Sequence, residues 1–188
     1  MKNLFTVLAL TISFSMNAQI STNTTTNTGT HASAIGDTTK ASGNTSTAMG
    51  YKSTASGGIS TAMGDDTEAS GSASTAMGYH TIALGNSSTA MGRHTDASNF
   101  AATAMGASTT ASGNTSTAMG YSTTASDYAS LVIGQYNLSG STITNSADSF
   151  NTANTAFVIG NGTYDAKSDA LKVMFNGDTT VGNDLTVS

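Results

Sequence analysis

The chain has 188 residues, of which 9% are charged and 6% are aromatic, and its formal net charge is −5. It contains no cysteine, which excludes disulfides and thiolate metal sites. The low count of basic residues argues against a nucleic-acid partner. Abundant Gly, Ala, Ser, Thr and Asn are typical either of disorder or of a tightly wound repeat, and periodicity decides between the two.

The chain begins with the features of a secretory signal peptide, which we assign to residues 1–18. Lys2 supplies the positive charge, Leu4 to Phe14 is apolar, and a cut after Ala18 fits the pattern. This apolar run is shorter than the about 20 residues that a helix needs to cross a bilayer. We therefore expect an exported protein without a membrane span in the mature chain, and a Thr- and Asn-rich segment over 19–31.

Residues 32–134 repeat every 14 residues without insertion. In each repeat a small residue and an apolar residue precede a glycine, which we interpret as a turn glycine. The series is Gly36, Gly50, Gly64, Gly78, Gly92, Gly106, Gly120 and Gly134. Seven residues later a second series begins with Gly43 and Gly57, in which Asn99 and Asp127 replace glycine. Because Asn and Asp tolerate a left-handed backbone, we expect φ > 0 at this second position.

A period of seven residues could also indicate a coiled coil. A glycine in every heptad would cost a helix about 1 kcal/mol relative to alanine, and Ser, Thr and Asn compete with helical hydrogen bonds. The pattern instead predicts strands of about five residues separated by turns, with two half-repeats per coil. We therefore predict an all-β fold, a parallel β-roll (β-solenoid) of 14-residue coils.

The alternation of side chains along a strand assigns two faces to each half-repeat. Ser46 and Ala48 share a face with only small residues, which predicts the narrow interior, while Thr47 and Met49 lie on the outer face. One large apolar residue per coil then forms an outer stripe: Ile35, Met49, Met63, Met77, Met91, Met105, Met119 and Ile133. Either the stripe is an oligomer interface, or the faces are reversed and it packs inside. As an interface it would contribute on the order of 10–20 kcal/mol per chain before entropy.

Three elements of the repeat resemble the S-x-A-x-G head repeats of YadA-type trimeric autotransporter adhesins. They are Ala32-Ser33-Ala34-Ile35-Gly36, Ser46-Thr47-Ala48-Met49-Gly50 and Ser53-Thr54-Ala55-Ser56-Gly57. The resemblance covers residues 32–134. It implies a left-handed roll, a homotrimer with the apolar stripe facing the threefold axis, and adhesion at a bacterial cell surface or outer membrane.

Residues 135–188 depart from that pattern and predict a small β cap or neck-like region. Ala156 to Gly160 reads as a strand, Leu171 to Phe175 alternates, and Asn176-Gly177 predicts a turn. Val181, Leu185 and Val187 continue in strand style. This tail resembles the region after head repeats in tail-fibre-like surface proteins, where a further trimerisation segment usually follows; we therefore expect a truncated or reduced member. How the protein is anchored stays open.

Few residues suggest chemistry. His80 and His94 occupy the same turn position one coil apart, but without neighbouring cysteines or paired carboxylates they make a weak metal site. Neither a nucleophile elbow nor a phosphate-binding loop is present. We therefore expect no catalytic residues, no metal and no cofactor.

Two functions remain. The first is a secreted, non-catalytic adhesion head that binds a host, matrix or neighbouring-cell surface. The alternative is an ice- or surface-binding solenoid that uses its outer threonine ladder: Thr47, Thr61, Thr75, Thr89, Thr103 and Thr117. The methionine beside each threonine argues against the alternative, since a second threonine would be expected there.

Overall fold

The computed structural model describes residues 24–138, 140 and 147–182, and all of its regular structure is β-strand. The signal segment 1–18 lies outside the described residues, as do Leu185 and Val187 of the tail. The all-β prediction is confirmed.

Each coil contributes one long strand of five residues, the first half of the repeat. These strands are β2 (Ser33–Asp37), β4 (Thr47–Tyr51), β6 (Thr61–Asp65), β8 (Thr75–Tyr79), β10 (Thr89–Arg93), β12 (Thr103–Ala107), β14 (Thr117–Tyr121) and β16 (Leu131–Gln135). The repeat glycine is the fourth residue of its strand, with φ between 97° and 135° across the series. These glycines therefore lie inside strands, two residues before the tight corner.

The second half of each coil contributes a strand of only two residues, shorter than the sequence pattern suggested. These strands are β1 (Thr26–Asn27), β3 (Lys40–Ala41), β5 (Thr54–Ala55), β7 (Glu68–Ala69), β9 (Ile82–Ala83), β11 (Asp96–Ala97), β13 (Thr110–Ala111) and β15 (Thr124–Ala125). Because β1 pairs with β3, the roll begins ahead of residue 32.

The two sets of strands form two parallel sheets, and within each sheet a residue pairs with its equivalent 14 positions along the chain. Thr47 pairs with Thr61 and Met49 with Met63, for example. Parallel neighbours of this kind lie about 4.8 Å apart. The structure is thus the β-solenoid of 14-residue coils that the repeat predicts, and equivalent residues form columns along it.

The interior of the roll contains small side chains, as predicted. Alanines from both half-repeats, from Ala41 to Ala125, are fully buried. Only some of the buried hydroxyls have hydrogen-bond partners. Ser46 and Ser60 each donate from the hydroxyl to a glycine carbonyl oxygen at 2.7 Å. The side-chain hydroxyls of Thr81 and Thr95 have no hydrogen-bond partner within the described part of the chain. The roll therefore satisfies only some of its interior hydroxyls.

The corners depend on a left-handed residue every seventh position from Thr24 to Tyr136, with φ between 43° and 61°. An L-residue in this region costs about 1–2 kcal/mol. From Thr45 onward each such residue donates its backbone N–H to a carbonyl oxygen of the preceding coil; Ile59 bonds to Asn44 at 2.8 Å and Ala73 to Gly58 at 2.7 Å. These bonds between coils hold the strained corners.

The expectation of positive φ at the second glycine series was wrong, since neither those glycines nor Asn99 and Asp127 adopt it. Glycine is there because the next coil is too close: a Cβ at Gly43 would lie 1.9 Å from the carbonyl oxygen of Gly57. Asn99 instead donates from its side chain to the Ser112 carbonyl oxygen at 3.0 Å. Asp127 belongs to the last coil and accepts a hydrogen bond from the Thr155 amide at 2.7 Å.

The tail forms the β cap at the end of the roll. It contributes β17 (Thr155–Asn161), β18 (Asp169–Met174) and β19 (Thr179–Val181). β17 adds to β16 in parallel, and β18 and β19 follow antiparallel, with Asn176 and Gly177 in the hairpin turn as predicted.

A buried side chain closes the short-strand sheet. The amide of Asn137 accepts from the Thr124 N–H at 2.7 Å and donates to the Thr124 carbonyl oxygen at 2.9 Å. It thereby satisfies both backbone groups that a further strand would have paired, and protects this edge of the sheet.

Close approach of adjacent coils predicts that Gly78→Ala destabilises the roll by roughly 2 kcal/mol or more, since its Cβ would meet the Gly92 carbonyl oxygen at 2.0 Å and φ is +129°. Gly58→Ala is the matched control, because the nearest heavy atom to its Cβ is 4.0 Å away. Thermal unfolding followed by circular dichroism measures both. Equal effects of the two changes would contradict the close-packing account.

Candidate functional site

The outer face of the long-strand sheet presents the predicted apolar stripe. The methionines from Met49 to Met105 are partly exposed and Met119 is 38% exposed, while the alanine beside each is fully buried. The alternative in which the stripe packs inside the roll is therefore excluded. In the single chain these side chains remain partly accessible to solvent.

The pairing of the strands aligns this stripe in one column. Ile35 pairs with Met49, and each methionine pairs with the next as far as Met119. Leu131 and Val132 stay in register with Thr117 and Ala118, so Ile133 continues the same column. All eight sequence-predicted interface residues thus share one face.

The column also includes residues that the sequence analysis did not select. Ile133 pairs with Ile159, Ile159 with Leu171, and Leu171 with Val181. The apolar-residue-then-glycine pattern of Ile159-Gly160 was the available signal, since it repeats Ile133-Gly134 after a gap of 26 residues. We call the whole set, from Ile35 to Val181, the axial column.

Charge is confined to a different part of the roll. Within residues 24–138 every charged side chain except Asp127 lies one, two or four positions after a repeat glycine, at one corner and the adjoining short strand. They are Asp37, Lys40, Lys52, Asp65, Asp66, Glu68, Arg93 and Asp96. Tyr51, Tyr79 and Tyr121 occupy the same corner. We call this corner the variable edge, because its side chains differ in charge and aromatic character from coil to coil.

Stacking of coils brings unlike side chains of the variable edge together. The His80 and His94 rings stack with centroids 5.1 Å apart, and the Tyr79 ring meets both edge-on, at 4.1 Å and 5.4 Å. Nδ1 of His80 lies 2.9 Å from Oδ2 of Asp66. The result is a row of aromatic, basic and acidic groups at the surface.

A shallow groove of about 170 Å³ runs beside this row. Its lining includes Lys52, Asp66, Glu68, His80 and Ile82, so it offers donors, acceptors and an apolar wall. One coil further on, burial raises the pKa of the Asp96 carboxyl, and a hydrogen bond with Ser98 opposes the shift. The groove can bind polar groups of a partner surface.

The described residues contain no group of three or more His, Asp or Glu side chains placed to hold a metal ion. His80 and His94, which the sequence places at the same turn position one coil apart, do stack on each other. No helix in residues 24–138, 140 and 147–182 has the length and apolarity needed to cross a membrane.

These features define a class of protein: a parallel β-solenoid with an uncharged apolar column on one face and a chemically varied edge. The YadA head domain repeat matches this chain over residues 28–53, 41–67, 55–81, 69–95, 97–123 and 111–137. Together the matches cover more than half of the chain, which belongs to this family of adhesin heads. No curated protein matches it.

Proposed function

We propose that this protein is a non-catalytic adhesion head, secreted and displayed at a bacterial cell surface, that works as a homotrimer and binds a host, matrix or neighbouring-cell surface. The observation that carries the proposal is the axial column: a continuous row of apolar side chains along the outer face of the long-strand sheet, partly exposed in the single chain. Membership of the adhesin-head family supports the same conclusion.

The chemistry of the axial column favours identical partners. Burying a methionine contributes about 1.5–3 kcal/mol, and monomeric proteins rarely expose a continuous apolar surface of this kind. The column repeats methionine in six successive coils, from Met49 to Met119. Three copies around an axis would each cover the other two, with the variable edge left toward solvent.

The variable edge is the surface that we propose contacts the ligand. Side chains that differ from coil to coil can give an adhesive contact its specificity. The edge carries three tyrosines and Arg93, residue types that are enriched among the side chains contributing most to protein interfaces. Tyr79, His80 and His94 are held in mutual contact before any ligand binds, which reduces the entropy lost on binding.

The ice- or surface-binding alternative has one observation in its favour, the regular column of outer threonines from Thr47 to Thr117. That column lies on the same face as the methionines. Trimer formation would cover it, so the oligomeric state separates the two functions.

The trimer proposal predicts a mass three times that of one chain for residues 19–188, measured by light scattering. Met77→Asp with Met91→Asp would place two carboxylates per chain in an apolar interface, which costs several kcal/mol, and should give monomers. Ser56→Asp with Ser112→Asp adds the same charge to the short-strand face and should leave the trimer intact. A monomeric wild-type chain with intact β-structure would refute the trimer and favour a ligand on the threonine column.

The adhesion proposal predicts that beads coated with the protein adhere to at least one of three surfaces: collagen, mucin, or beads carrying the same protein. The variant Asp66→Asn, Tyr79→Ser and His94→Asn should lower adhesion about tenfold or more, as loss of central contacts does elsewhere. Asn is chosen because it tolerates the left-handed corner.

Its control is Ser42→Ala, Ser70→Ala and Ser112→Ala on the short-strand face, which should adhere as the wild type does. Adhesion to none of the three surfaces, or equal adhesion of the edge variant and the wild type, would count against this role of the variable edge.

A further inference from the structure

The repeated part of the proposed interface has no unique position along its length. From Thr47/Met49 to Thr117/Met119, six successive coils present the same threonine and the same methionine on the outer face. If one chain slid along its partners by one coil, about 4.8 Å, each row would meet an identical row. The repeat therefore specifies which faces meet and leaves the axial alignment of the chains open, as in any strand whose register lacks a distinctive residue.

The carboxyl-terminal strands change this pattern on the same face. In the column beside the methionines, Thr117 pairs with Leu131, Leu131 with Phe157, and Phe157 with Val173. Threonine is thus replaced by an apolar residue in three successive strands, β16, β17 and β18.

Over the same strands the axial column stays apolar, so two neighbouring columns are apolar where the repeat has one. The six side chains that form this terminal block are Leu131, Ile133, Phe157, Ile159, Leu171 and Val173. All of them are partly exposed in the single chain, and Leu131 is 38% exposed.

The two charged side chains of β18 lie away from this block. Lys172 pairs with Val158, which is buried on the inner side of the sheet, so Lys172 belongs to the opposite face. Asp169 accepts a hydrogen bond from the Leu138 N–H at 2.9 Å, and burial raises the pKa of its carboxyl. The block is therefore a continuous, uncharged extension of the proposed interface.

We propose that the terminal block is the register lock of the assembly: it binds the equivalent block of two further copies of this chain and fixes their axial alignment. The inference rests on the proposed trimer. Its rows differ from one another and from the repeat, so a shifted chain would set Leu131 or Phe157 against threonine. Only the aligned arrangement buries all six side chains of each chain against one another.

The test extends the threonine column of the repeat through β16, β17 and β18, which removes the distinctive residues of the block. In the variant Leu131→Thr, Phe157→Thr and Val173→Thr, each new residue is β-branched and suits a strand. The comparison variant Met49→Thr, Met63→Thr and Met77→Thr removes three apolar side chains from the repeat. Trimer dissociation on dilution is measured by analytical ultracentrifugation, with circular dichroism to confirm the β-structure; Phe157→Thr alone replaces the triple variant if that fails to fold.

We expect the variant of the terminal block to form the weaker trimer. It should dissociate at a protein concentration at least tenfold higher than that at which the variant with three methionines replaced dissociates. A second readout reports alignment directly. Chains carrying Met77→Cys are mixed with chains carrying Met105→Cys, two coils away, and oxidised. Disulfides between the two kinds of chain should be rare with the native block and should rise severalfold with the extended threonine column.

The outcomes separate the two ideas. Suppose that the wild-type chain is a trimer, that the block variant dissociates no more readily than the methionine variant, and that mixed disulfides do not rise. That result overturns the register lock and leaves the trimer standing. A monomeric wild-type chain overturns both.

Discussion

The pairing of each residue with its own equivalent one coil later is the constraint on which the rest of this structure depends. It requires backbones so close that a Cβ at Gly78 would meet the next coil at 2.0 Å. It also requires an interior of alanine, serine and threonine, because two sheets face each other across a narrow roll. Such an interior buries little apolar surface per residue, and the proposed association through the axial column would supply what it lacks.

The same constraint separates structural from functional positions. Interior and glycine positions admit few residue types, because a larger side chain there would collide with the adjacent coil. Positions one, two and four after the repeat glycine face outward and admit variation, so Tyr79, His80 and Glu68 can differ from their equivalents at little structural cost. Adhesive specificity is expected at such positions, because loops and corners carry function where a rigid scaffold holds them.

The sequence predicted whatever depends on period and size: the 14-residue coil, the alanine-lined interior and the outer stripe ending at Ile133. It misled at the corners, because the left-handed residues, such as Ile59 and Ala73, are types without turn preference that bonds between coils hold in place. Asn99 and Asp127 suggested a positive φ because both residue types tolerate a left-handed backbone, but neither adopts it in the structure. The pairing of β17 with β16 could not be foreseen either, since it follows an excursion of 19 residues between the strands, 136–154, that carries no repeat signal.

The central claim, that the axial column of one chain meets those of its partners, is tested most directly by a single thiol in its middle. The natural chain has no cysteine, and a disulfide needs Cβ atoms about 3.5–4.5 Å apart. Met91→Cys should oxidise to covalent dimers while retaining the trimeric mass, and Ser98→Cys on the opposite face should not. Equal cross-linking at both positions, or none at Met91→Cys, would contradict the account.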